Sequence, residues 1–438
     1  MLINSQLYAT RRAAFTKQMQ PGVAIFPAAP LSIRSHDTEY RYRQDNDFYY
    51  LTGFPEPEAL CLLSPQHDSE RYILFVRPRD KEKETWTGRR LGVEGAKEHC
   101  GVDAAYTIDQ LEEILPQHLA QAETVYFAFH RDERLNAKIL ELIHHSQMQR
   151  QRSGHGPVSL IDPGTIIHEM RLFKSEEELA LMRSAIAAST AAHHAAMTQT
   201  RPGMYEYEIE ALLEFHFRRL GAAGPAYPSI VASGANATIL HYITNDRQMQ
   251  NDELLLIDAA AEHACYCSDV TRTFPVGTSF TPLQRDIYTL VLDAQKEAIA
   301  MTRPGVRFDE VHQRATEILV DGLREFGLLQ GSTAEIIEKG EHRRFYMHRT
   351  SHWLGMDVHD VGKYKVNDES RVLEPGMVLT VEPGIYIAED AEGVKDHYCG
   401  IGVRIEDDIL VTADGNEVLT KAIPKEIADI EALRKGLQ

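Results

Sequence analysis

The run Leu254-Leu255-Leu256-Ile257-Asp258, with Ser268-Asp269-Val270-Thr271-Arg272-Thr273-Phe274 following, decides how this chain reads. Four apolar residues ahead of Asp258 predict a buried strand that delivers a carboxylate at its tip. Asp269 lies eleven residues further on, on a second predicted strand that ends by Pro275, and a hairpin would bring the two acids together. Either aspartate alone reads as a turn residue. Their weight comes from three positions downstream.

Those positions are His352, Glu382 and Glu406. Four carboxylates and one imidazole are the donors expected for two hard or borderline divalent cations held close together, which generate hydroxide at neutral pH and clamp an oxyanion. That chemistry is hydrolytic. In Val378-Leu379-Thr380-Val381-Glu382-Pro383-Gly384 a strand runs into a turn with Glu382 at its end. In Gly402-Val403-Arg404-Ile405-Glu406 the period of two puts Arg404 and Glu406 on one face, either as an exposed ion pair or as a donor, Glu406, with Arg404 holding neighbouring carboxylates. The stretch from His348 to Asp360 superficially resembles a zincin helix, but Arg349 stands where that motif requires Glu. His348 and His359 gain interest only because they flank His352.

Composition sets the frame. A chain of 438 residues, 43% hydrophobic and 25% charged, is soluble and globular and too long for one ordinary core, so two domains are expected. A net charge of -19 argues against nucleic acid. Five cysteines, an odd number without a CxxC, read as free thiols in a reducing compartment. The N-terminus has no signal-peptide core and no stretch is long and apolar enough for a membrane span, which places the chain in the cytoplasm.

Short apolar runs at 24–26 and 72–75 alternate with a helical pattern at 111–121, giving a mixed α/β first domain. Residues 147–157 are polar and read as a loop, followed by a linker to about Lys174. Ser175 with Glu178 forms a capping box, and Leu179, Met182 and Ile186 share a helical face, so a long helix opens the second domain. The expected division is 1–172 and 173–438. Within the second part Thr200-Arg201-Pro202-Gly203-Met204 recurs as Thr302-Arg303-Pro304-Gly305-Val306, each time between helical patterns, as two similar halves would require. Thr281-Pro282-Leu283-Gln284 starts another helix.

With these positions in their segments (LLLIDAAAEHACYCSDVTRTFPV, HRTSHWLGMDVHDVG, VLEPGMVLTVEPGIY and GIGVRIEDDILVT), the chain resembles the pita-bread metallopeptidases, most closely the bacterial aminopeptidase P (Xaa-Pro aminopeptidase) group. YRYRQDNDFYYLTGFPEPEA and WTGRRLG are similar to that group's non-catalytic domain. The resemblance implies an α/β (α+β) architecture: an N-terminal mixed α/β domain and a C-terminal pita-bread domain with pseudo-twofold halves. It implies that Asp258 binds one ion, His352 and Glu382 the other, and that Asp269 and Glu406 bridge both, usually around manganese with a bridging hydroxide. Glu382 would also shuttle a proton, and His241, His348 and His359 would surround the scissile bond and protonate the leaving proline nitrogen. The implied substrates are peptides that begin Xaa-Pro, and relatives commonly form dimers or tetramers. Ala260 stands where the family commonly has glycine, and Cys265 occupies the following turn. The alternatives are a prolidase, which splits only dipeptides, and a metal-free peptide-binding pita-bread protein, which would have lost donors that this chain retains.

Overall fold

The computed structural model describes residues 5–129 and 132–435. The chain forms two compact units, Met1–Met170 and Arg171–Gln438. No helix among the described residues is long and apolar enough to cross a membrane.

The first unit is organised around Gly22–Pro27, buried along its whole length, as a strand covered on both faces must be. It sits inside a six-stranded mixed sheet in the order Ala104–Thr107, Tyr72–Val76, Leu60–Leu63, Gly22–Pro27, Thr124–Tyr126, Ser159–Ile161. Two expectations change here. Residues 147–153 are not loop but the end of the helix Glu133–Ser153, which Gly154 stops in a left-handed conformation at φ 81°. Their Gln, Met and Arg side chains are good helix formers, and they lack apolar periodicity because that turn is exposed. The expected linker likewise contains the strand Ser159–Ile161 and the helix Gly164–Leu172, whose first N–H groups are met by Asp162.

The second unit opens at the Ser175 capping box, as the sequence predicts, with the helix Glu176–Gln199 burying Leu179, Met182 and Ile186. Thr281, Pro282 and Gln284 start the helix Pro282–Met301 in the same way. The two Arg-Pro-Gly segments are equivalent. Thr200 closes the first helix by donating its hydroxyl to the Ala196 carbonyl at 2.7 Å, and Thr302 closes the second on Ala298 at 2.9 Å. Gly203 and Gly305 adopt φ 87° and 86°, a region that favours glycine, and their N–H groups bond Met249 and Leu373 carbonyls. The next helices then begin at Glu206 and Phe308. Each helix pair is followed by a three-stranded sheet: Ile230–Ser233, Leu254–Asp258 and Thr271–Pro275 in the first half, Val378–Val381, Asp407–Val411 and Asn416–Val418 in the second. Gly384–Ile387 pairs with Ile401–Arg404. One apolar core runs through both halves and includes Leu213 and Phe217 from the first and Val291 and Leu319 from the second.

Candidate metal centre and active site

Asp258 is the last residue of Leu254–Asp258, and antiparallel pairing sets it opposite Thr271. Asp269 therefore falls two residues ahead of its strand rather than within it. The small hairpin Ala261–His263 and Tyr266–Cys267 turns the chain between them, with Ala264 and Cys265 at φ 50° and 68°. Two non-glycine residues thus take up the left-handed turn at a cost of roughly 1 kcal/mol each, and the hairpin still closes.

The five candidate donors converge. Donor atoms of Asp269, His352 and Glu406 lie within 4.8 Å of one another. The His352 Nδ1–H donates to the Trp353 carbonyl at 3.0 Å. Its Nε2 then faces Asp269 Oδ2 at 3.3 Å and Glu382 Oε1 at 3.4 Å. Glu382 follows the strand Val378–Val381; Pro383 interrupts the strand without reversing it, because Gly384 already begins the next one. Glu406 accepts the Thr271 hydroxyl at 2.7 Å. The Tyr227 hydroxyl lies 2.6 Å from Asp258 Oδ1 and 2.5 Å from Asp269 Oδ1, but has one proton for two carboxylates.

The electrostatics of the cluster favour cations. Burial, and then the neighbouring carboxylates, push the Asp269 and Glu406 carboxyls up. Glu382 is pushed up to about 8 by burial against the opposing pull of His352 and Arg404. For His352, burial pulls the imidazole down but Asp269 and Glu382 outweigh it and carry it to about 9. Groups crowded in this way retain protons until other cations replace them. Four carboxylates match the charge of two divalent ions, and oxygen with a single imidazole suits borderline metals. The residues fit a dinuclear site.

Arg404 is buried and does not pair with Glu406. Its Nη2 donates to Asp258 Oδ2 at 2.6 Å, Nη1 to the Tyr386 hydroxyl at 2.9 Å and Nε to the Thr271 hydroxyl at 3.1 Å. All five donors and Arg404 line one cavity of about 840 Å³, whose wall is otherwise largely apolar, with Pro228, Ile230, Leu240, Ile243 and Val358 among its residues.

Residues 180–413 match metallopeptidase family M24, and residues 8–126 match the aminopeptidase P N-terminal domain. The chain belongs to metallopeptidase family M24. It is 47% identical over 438 residues to Xaa-Pro aminopeptidase of Escherichia coli (strain K12), covering 98% of each chain. The structure of an aminopeptidase from Pseudomonas aeruginosa superposes with a TM-score of 0.97 at 46% identity, over 100% of this chain and 99% of that one. A variant of Escherichia coli aminopeptidase P in complex with substrate gives 0.95 at 45% identity, with the same coverage. The chain thus pairs an aminopeptidase P N-terminal α/β domain with a C-terminal M24 domain of pita-bread fold.

The three further histidines of this M24 chain all line the cavity. His241 and His359 are exposed there, and the His359 ring stands edge-on to His352 with centroids 4.5 Å apart. Burial, then the His352 charge, lowers the His359 pKa. His348 is held more tightly: Nδ1–H donates to the Arg349 carbonyl and Nε2 accepts the Tyr386 hydroxyl, both at 2.8 Å. Burial, followed by the Arg404 charge, brings it down to about 4.

A second histidine–carboxylate trio, His67, Glu70 and His118, lies in the first unit. Its rings stack with planes 39° apart and centroids at 4.5 Å, so their in-plane lone pairs do not aim at one point. The backbone N–H of Glu70 occupies His67 Nδ1, and Tyr106 donates to Glu70. This is a packed polar cluster.

Sequence reasoning missed Tyr227, Tyr386, Asp408 and Lys365. Tyr227 has no motif of its own. Asp408, whose carboxylate receives the Asp269 N–H at 3.3 Å, could have been flagged, because three consecutive acids at the start of a buried strand need partners. Asp407 has them in Arg272 at 2.7 Å and Lys425 at 2.6 Å. Lys365, on the exposed strand Lys365–Val366, is a cavity-lining cation that the site motifs did not contain.

Proposed function

We propose that the cavity in residues 173–438 binds peptides that begin Xaa-Pro and releases the first residue, with two divalent ions, manganese for preference, held by Asp258, Asp269, His352, Glu382 and Glu406. The activity is that of an Xaa-Pro aminopeptidase of family M24. The observation that carries the assignment is the convergence of four carboxylates and one correctly presented imidazole nitrogen on one cavity. Asp258 would hold one ion and His352 and Glu382 the other, with Asp269 and Glu406 available to both. Ions so held would supply a water with a pKa near about 7 and positive charge for the developing oxyanion.

The chain's own groups do the rest. Glu382, which faces His352 on one side and His348 Nδ1 at 3.8 Å on the other, passes a proton from the attacking water toward the leaving group. A prolyl amide nitrogen has no hydrogen, so it must be protonated as it departs. His359 and His241, both on the cavity wall, are placed to relay that proton. His348 orients Tyr386, which in turn accepts from Arg404. Arg404 fixes the Asp258 carboxylate, and the apolar wall receives the proline ring.

Residues 1–172 act as a non-catalytic domain, since every assigned residue lies in 173–438. A cytoplasmic site, consistent with five free thiols, and self-association as a dimer or tetramer complete the reading.

The test is substrate length. A prolidase needs a cation for the carboxylate directly after proline, but Arg404 is committed to Asp258 and Arg349 pairs with Asp309. Lys365 stands on an exposed strand. Comparing kcat/KM for an Xaa-Pro dipeptide and its tripeptide extension should favour the tripeptide; preference for the dipeptide would make the chain a prolidase.

A further inference from the structure

We infer that Asp360, clamped between Arg171 and Lys174, is a positioning residue of this active site: it fixes the Trp353 carbonyl that sets the tautomer of His352, and with it the place of His359. The inference rests on His352 being a metal donor.

The segment 354–362 has no helix or strand to hold it, although it runs from a proposed metal donor to a proposed proton donor. What holds it is charge. Asp360 Oδ1 accepts Arg171 Nη2 at 2.7 Å and Oδ2 accepts Lys174 Nζ at 3.0 Å, with all three side chains buried. Arg171 also reaches the half-exposed Asp357 at 2.7 Å, so two cations meet two carboxylates. Burial alone would raise the Asp360 carboxyl, but Lys174 and Arg171 keep it below the usual carboxylate range.

From that anchor the Asp360 N–H donates to the Trp353 carbonyl at 2.8 Å and closes the loop on itself. The same carbonyl accepts His352 Nδ1–H at 3.0 Å. Trp353 is immobilised in turn, its indole stacked on Tyr364 at 5.4 Å and 11° and its backbone N–H donated to the Tyr364 hydroxyl at 3.1 Å. His359 directly precedes the clamp. Gly355 makes room for it: a Cβ there would lie 2.1 Å from Asp360 Oδ2 and 2.9 Å from Lys174 Cε.

Stability alone does not account for such an arrangement. A buried ion cluster gains little over apolar packing of the same volume, whereas direction is what charged hydrogen bonds supply. Groups that orient a metal-binding imidazole typically change metal affinity by about 10- to 100-fold when removed.

The experiment uses the full chain, stripped of metal, and measures Mn²⁺ affinity from the paramagnetic resonance of free Mn²⁺. Asp360→Asn should weaken one of the two ions by about 10- to 100-fold, and Lys174→Arg, which keeps the cation, should restore most of what Lys174→Gln loses. A purely structural clamp would lower the thermal midpoint and leave Mn²⁺ affinity alone. Affinity within twofold of the parent for Asp360→Asn overturns the inference. Should that variant not fold, Lys174→Gln carries the same measurement, and unchanged affinity there overturns it equally. His352→Ala in parallel separates the premises: if it keeps both ions, the metal assignment fails; if it loses one while Asp360→Asn does not, only the role of Asp360 fails.

Discussion

Replacing Arg404 by lysine separates charge from geometry at the metal centre. The guanidinium satisfies three acceptors at once: Asp258 Oδ2, the Tyr386 hydroxyl and the Thr271 hydroxyl. A lysine ammonium at the end of a flexible stem can follow Asp258 but cannot also span the other two. A hydrogen bond to a charged group is worth about 1.5–3 kcal/mol. If one such bond is realised in holding Asp258 for the transition state, kcat/KM falls by about 10- to 100-fold at 1.36 kcal/mol per tenfold. Arg404→Leu should be worse, and should also lower the thermal midpoint, because removing one partner of a buried ion pair costs about 3–5 kcal/mol. The assay is hydrolysis of an Xaa-Pro-Yaa tripeptide with elemental analysis of each variant. The lysine form is expected to keep both ions and lose rate. Unchanged kcat/KM would show that Arg404 contributes charge alone and would refute the argument from planar geometry.

Other outcomes follow from the same geometry. Chelation should abolish activity and lower the thermal midpoint, since ions that bind only the folded state stabilise it, and Mn²⁺ should restore both; active protein without transition metal on elemental analysis would exclude the dinuclear reading. His359→Ala should lower kcat by about 10²-fold or more if the ring carries a proton in the transition state, whereas a change confined to KM would make it a substrate-binding residue.

The four candidate carboxylate donors were legible in the sequence because each sits at or just beside a strand end in a distinctive local run, and strand ends are readable from apolar patterning; His352 stood out only by its histidine-rich segment. Their partners were not. Tyr227 reaches Asp258 and Asp269 from 31 and 42 residues away, and no periodicity in the segment around it marks that long-range contact. Arg404 shows the limit of strand arithmetic: the period of two put it on one face with Glu406 and left an exposed ion pair as one of two readings, whereas the side chain is buried and the sheet delivers Asp258, not Glu406, as its partner. The polar helix end at 147–153 failed for the opposite reason. Exposure erased the apolar stripe while the helix persisted on propensity and the Gly154 cap.

The repeat explains why one site needs donors spread over so much chain. Thr200 and Thr302 end long helices identically, Gly203 and Gly305 turn identically, and each helix pair leads to its own small sheet. The first half contributes Asp258 and Asp269 from adjacent strand ends. The second contributes Glu382 and Glu406 from strand ends and His352 from the segment that precedes them. Neither half by itself carries all four carboxylates, so the proposed dinuclear centre could form only where the shared apolar core joins the halves. His352 is the donor that no strand carries. It is the one whose Nδ1 is set by the Trp353 carbonyl, which the Asp360 N–H also holds and which the proposed clamp of Arg171 and Lys174 would fix. The asymmetry between the halves therefore falls on the stretch 352–360, where the proposed metal-binding imidazole and the cavity-facing His359 stand edge to edge.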